Sequence, residues 1–68
     1  MNFTIKHERE EDGRWLAELP EIPGALAYGT TANEAMARAV TLALRVLAER
    51  LEHDESAPHS ISIAVPVA

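Results

Sequence analysis

Residues 31–53 read TANEAMARAVTLALRVLAERLEH, and this stretch decides the fold. Thr31, with Glu34 three positions on, has capping-box spacing: the threonine oxygen accepts a bond from an early helical amide, and the glutamate reaches back to the threonine amide. From Ala32 to about His53 there is no Gly or Pro, and strong helix formers dominate, so the spacing predicts one rod about 30 Å long. Ala35, Ala39, Leu42 and Val46 form one apolar stripe. Met36, Val40, Ala43, Leu44, Leu47 and Leu51 widen it past the usual amphipathic arc, and Arg38, Arg45, Glu49, Arg50 and Glu52 mark the wet side. So much apolar surface is expected to seek a partner, with Met36, Val40, Leu44, Leu47 and Leu51 as candidate self-association residues. The alternative is a deeply seated core helix whose alanines let a sheet approach closely.

Working outward, residues 2–10 begin with strand alternation, Phe3, Ile5 and His7 on one side and Thr4, Lys6 and Glu8 on the other. Glu11-Asp12-Gly13 supplies a hairpin turn. Residues 14–19 form a second strand, with Trp15, Ala17 and Leu19 opposite Leu16 and Glu18, ended by Pro20. Pro20-Glu21-Ile22-Pro23-Gly24 has two prolines and reads as a stiff loop. Residues 25–29 form a short third strand. Beyond the helix, the polar run 53–59 with Pro58 is a stop, and residues 60–65 alternate as a fourth strand with Ile61, Ile63 and Val65 on one side. Short connections make strands one to three antiparallel, and the helical crossover sets strand four parallel to strands one and three. The expectation is one α+β domain over residues 1–68, β-β-β-α-β, with sheet order 3-2-1-4 and one long helix on one face.

The 68 residues carry a net charge of −5 and 47% hydrophobic side chains, with one Trp, one Tyr and one Phe. So small a domain buries roughly 60% of its unfolded surface, and its core must be largely aliphatic and alanine. An acidic balance argues against binding phosphate backbones and suits a basic protein partner, or simply keeps the domain soluble. The absence of cysteine removes disulfides, thiolate metal sites and cysteine nucleophiles. No basic leader precedes an apolar run and no run approaches a membrane span, so a cytoplasmic location is expected.

Nothing in the sequence installs reactive chemistry. His7, His53 and His59 lack the spacing of a helical zinc site. The adjacent carboxylates Glu10 and Glu11, or Asp54 and Glu55, read as solvated turn residues rather than acid–base pairs or magnesium ligands. Ser56, Ser60 and Ser62 lack a nucleophile elbow, and the scattered glycines form no phosphate loop. Arg38, Arg45 and Arg50 make a poor nucleic-acid surface, and Lys6 and Arg9 are cancelled by Glu8, Glu10 and Glu11. The expectation is no enzyme, no cofactor, no metal and no direct nucleic-acid contact.

Asp12-Gly13-Arg14-Trp15-Leu16-Ala17-Glu18-Leu19-Pro20-Glu21-Ile22-Pro23-Gly24, followed by Gly29 and the helix start at Thr31, resembles the HicB antitoxin family. Ala25 stands where relatives often have cysteine. The resemblance implies a partial ribonuclease H-like fold without catalytic carboxylates, which binds and blocks a small basic HicA toxin, itself an mRNA-cleaving ribonuclease. Many members also carry a C-terminal DNA-binding domain, and residues 1–68 correspond to the toxin-neutralising part. No family motif carries site residues over. From the residues themselves, the acidic positions near hairpin and loop, Glu8, Glu10, Glu18 and Glu21, are the candidate toxin contacts. The alternative function is a stand-alone oligomeric structural or regulatory domain, dimeric or tetrameric, without a toxin.

Overall fold

The computed structural model describes residues 2–53 and 60–66. In chain order the elements are β1 (Asn2–Thr4), β2 (Lys6–Arg9), β3 (Trp15–Glu18), β4 (Leu26–Gly29), the helix α1 (Ala32–His53) and β5 (Ser62–Ala64). The helix spans the stretch the sequence predicts. The stop expected over residues 53–59 begins at His53, the last residue of the helix, and its remainder lies outside the described residues.

The sheet differs from expectation. The strand expected over residues 2–10 is interrupted at Ile5, and instead of one sheet of order 3-2-1-4 there are two: a parallel β1–β5 pair, and an antiparallel β2–β3–β4 sheet. The pairwise neighbours are as foreseen, but no residue of the first strand is paired on both sides. Two prolines explain the offset. The hairpin register sets Arg9 opposite Trp15 and Lys6 opposite Glu18, so the next positions would place Ile5 against Leu19 and Thr4 against Pro20. Pro20 has no amide to donate, and the Leu19 amide is turned to the Ala25 carbonyl at 2.9 Å. On the other side, β5 runs level with β1 as far as Thr4 and Ala64, and two steps further it would bring Pro66 alongside Lys6. Each flanking ladder therefore stops near Ile5.

Turns follow their sequences closely. At the hairpin, the Gly13 amide donates to the Glu10 carbonyl at 3.0 Å and the Glu10 amide to the Arg14 carbonyl at 2.7 Å, with Gly13 at φ 91°. In the proline loop the Ile22 amide donates to the Leu19 carbonyl (3.0 Å) and the Ala25 amide to the Ile22 carbonyl (3.1 Å). These are back-to-back turns, the second having Pro23 then Gly24 at φ 87°, the residue order of a type II turn. They drive Ile22 into the core, where it is 1% exposed.

The helix lies across β2, β3 and β4. Its buried residues are Ala32, Ala35, Met36, Ala39, Ala43 and Leu47. They meet Phe3, Ile5, Ala17, Leu19, Ile22 and Ala25 in one core, and no polar or charged residue among those described is fully buried. Alanine on both sides lets backbone approach backbone. The tightest point is Gly29, where a Cβ would stand 2.6 Å from the Ala35 amide nitrogen. The helix start departs from expectation in one bond. Thr31 Oγ1 accepts from the Glu34 amide at 3.0 Å, but the Glu34 carboxylate reaches the amide and hydroxyl of Thr30, at 3.2 and 3.3 Å, rather than the Thr31 amide.

Candidate protein-binding surface

Alternation along each strand and the pairing register divide the three-stranded sheet into two faces. His7, Ala17 and Ala27 form one cross-strand row beneath the helix, and Arg9, Trp15 and Gly29 the next. Among the described residues no element lies over the other face. Its rows are Lys6, Glu18 and Leu26, then Glu8, Leu16 and Tyr28. Leu26 and Tyr28 are 44% and 40% exposed, and Leu16 is half-buried between them and the carboxylates. A depression on this face is bordered by Lys6, His7, Glu8, Leu16 and Glu18. A more open one at the hairpin end is bordered by Glu10, Glu11, Asp12, Arg14 and Tyr28.

The basic residue at the hairpin end is already engaged. Arg14 Nε donates to Asp12 Oδ2 at 2.7 Å, and its guanidinium carbon sits 4.5 Å from the Tyr28 ring centroid, a cation–π distance. Asp12 also accepts the Arg14 amide at 3.0 Å. That backbone bond first, and the side-chain bond second, hold the Asp12 carboxyl below the ordinary aspartate range. Tyr28 is thus held by the hairpin that sequence reasoning treated only as a turn. One acceptor on the free edge of β4, the Tyr28 carbonyl, is also occupied, because Arg38 donates to it from Nη1 at 2.9 Å and pairs with Glu34 at 3.2 Å.

Of the acidic residues singled out from sequence, Glu8 and Glu18 come together on the open face, in adjacent rows. Glu10 stands at the base of the hairpin, next to that face. Glu21 is exposed in the proline loop, outside the ladder. The apolar centre, Leu16, Leu26 and Tyr28, was missed as a surface, although its two-residue spacing was visible in the strands.

The self-association set is divided. Met36 and Leu47 are 1% and 2% exposed, inside the chain's own core, so they are removed from any surface by the sheet they cover. Leu44 and Leu51 are 51% and 39% exposed, and Val40 is half-buried. Of the histidines, His7 lies against Trp15 with ring centroids 5.9 Å apart, His53 pairs with Glu49 at 3.9 Å, and His59 lies outside the described residues. Among the described residues no three His, Cys, Asp or Glu side chains converge as metal ligands, and no helix is long and apolar enough to cross a membrane.

Fold and surface together define a small α+β protein: a helix-backed sheet that presents its other face. One curated relative, the UPF0150 protein Ta0767 of Thermoplasma acidophilum, is 32% identical over 59 residues, which cover 85% of this chain and 84% of that protein. The chain belongs to the UPF0150 family. No protein-family model matches it, and no solved structure does.

Proposed function

We propose that this chain is a HicB-like antitoxin that binds a small basic HicA-type mRNA-cleaving ribonuclease and neutralises it by protein–protein contact, without catalysis of its own. The observation that carries the reading is the open sheet face. Leu16, Leu26 and Tyr28 make an apolar centre, Glu8 and Glu18 stand among them, and Glu10, Glu11 and Asp12 crowd the hairpin end. Lys6 and Arg14 are the cations on that side, and Arg14 is held by Asp12. Such a face offers a basic partner an anchor for an apolar side chain within a ring of carboxylates, which steer its approach and set its orientation. The hairpin and proline loop that carry the resemblance to HicB proteins are the devices that build this face and close the core beneath it.

The test is co-expression with a small basic open reading frame adjacent to this gene, followed by pull-down. Rescue of growth and a stable complex are expected. Reversing Glu8, Glu10, Glu18 and Glu21 to lysine together should abolish rescue, and Tyr28→Ala should weaken binding on the order of 30-fold, the size of a central aromatic anchor. Unchanged capture by both variants, with folding intact by circular dichroism, rules this face out.

The second reading, a stand-alone oligomeric domain without a toxin, is favoured by the exposed Leu44 and Leu51 of the helix. Absence of any toxic neighbouring frame would support it.

A further inference from the structure

We infer that an extended segment of the basic partner adds as a strand to the outer edge of β4, bonding through its backbone to Leu26 and Tyr28 while its side chains cover theirs. This mode of capture rests on the function proposed above.

The three-stranded sheet has two outer edges, and the ladder fixes where their backbone groups point. Directly opposed residues of an antiparallel pair alternate between exchanging both backbone bonds and exchanging none. The Leu19 amide donates to the Ala25 carbonyl at 2.9 Å. In the β3–β4 register, Ala27 and Gly29 therefore turn their backbone toward β3, and Leu26 and Tyr28 turn theirs outward. The Arg38 bond to the Tyr28 carbonyl is made on that outer side. By the same alternation, the Glu10 amide bond to the Arg14 carbonyl leaves His7 and Arg9 facing outward from β2.

The two edges are defended differently. β2 reads Lys6-His7-Glu8-Arg9, charges that deter an incoming strand, and the register of β5 would bring Pro66 alongside Lys6. β4 reads Leu26-Ala27-Tyr28-Gly29, with neither charge nor proline. Among the described residues nothing bonds to the Leu26 amide, the Leu26 carbonyl or the Tyr28 amide. The same two residues have the exposed apolar side chains of the open face. Unpaired donors and acceptors beside two apolar side chains fit a strand, which satisfies both at once. A helix has its own backbone groups paired and would cover the side chains alone. Arg38 marks where such a strand ends, since beyond Tyr28 the edge passes into the helix start.

The rows of the sheet specify the segment's side chains. Neighbouring strands lie about 4.8 Å apart, so a residue added beyond Leu26 falls about 10 Å from Glu18 in the same row. A lysine or arginine there lays its stem over Leu26 and brings its charge to the Glu18 carboxylate, which no ion pair among the described residues engages. Two positions along, an apolar residue meets Tyr28. A second copy of β4 is the poorer occupant, because it has no cation to offer Glu18.

The readout is hydrogen exchange, amide by amide, on the free chain and on its complex with the product of the adjacent small basic open reading frame. In the free chain the Leu26 and Tyr28 amides should exchange quickly while those of Ala27 and Gly29 are protected. In the complex the first two should slow by about tenfold or more, with the His7 and Arg9 amides unchanged. Leu26→Pro deletes an outward amide without touching the bonds to β3, a position where an edge strand accepts proline. It should weaken capture by about tenfold or more, because a partner carbonyl loses its donor. Leu26→Val keeps the amide and should hold the partner nearly as well as wild type. A complex in which both amides exchange as fast as before, or which Leu26→Pro leaves at full strength, overturns strand addition and spares the toxin-binding reading. No complex at all removes both. Slowing of these amides in the free chain as its concentration rises would put a second copy on the edge and likewise overturns the proposal.

Discussion

At the scale of single residues, the surface is organised by Asp12 and the interior by Gly29. Asp12 accepts the Arg14 amide and holds its guanidinium over Tyr28, so one carboxylate shapes the turn and positions the aromatic ring of the proposed interface. Its folded pKa is lowered, and the sign follows. The unfolded chain binds this proton at higher pH than the folded chain does, so the bond's stabilisation is complete above the ordinary aspartate range and disappears as pH falls through the lowered folded value. Asp12→Asn should therefore destabilise the protein more at neutral pH than in acid below that value. Equal losses at both, measured by urea unfolding, would show that the carboxylate charge contributes nothing. Gly29 answers to a different constraint, close approach of β4 to the helix start, and its backbone lies outside the positive-φ region.

At the scale of elements, the proline loop is a core component, although it carries two prolines and an exposed glutamate. Its two turns deliver Ile22 into the end of the core at 1% exposure. Ile22→Ala is expected to cost about 2–5 kcal/mol, transfer plus residual cavity. A domain this small has a total stability of the same order, roughly 3–5 kcal/mol. The variant should lose its cooperative unfolding transition at room temperature in urea titration. Retention of a transition within about 1 kcal/mol of wild type would mean that the loop collapses onto the void. The helix, by contrast, meets the sheet along Ala32 to Leu47, and from Ala48 to His53 no residue is buried. Those last turns owe their order to helix propensity.

At the scale of the whole molecule, the split sheet makes stability uneven. The β2–β3–β4 sheet is backed by the helix, whereas β1 and β5 are three-residue strands paired with each other. The long helical crossover separates them in sequence, and β5 has no fully buried residue. A two-stranded ladder is marginal alone, and this one is tied to the core by Phe3 and Ile63 without the helix contact that backs the other sheet, so β1–β5 is expected to open locally. Amides of residues 2–4 and 62–64 should exchange with deuterium faster than those of β3 and residues 35–47, without global unfolding. Identical protection across both sheets would mean that the molecule opens as one unit.

The helix, the hairpin, the proline loop and the two faces of the central strands were legible in the order of residues. Each follows from local signals: a capping pair, glycine at positive φ, proline without an amide, and two-residue alternation. Even the interruption at Ile5 was latent in Pro20 and Pro66, but reading it needs the ladder registers, which bring residues far apart in the chain level with one another. Which apolar helix residues were left over depended on how the helix packs on the sheet. Met36 and Leu44 look equivalent along a widened stripe, yet a flat sheet covers a limited arc of a cylinder. The direction from which the sheet approaches, set by Gly29, Ala17 and the facing alanines, buries the first and leaves the second in solvent.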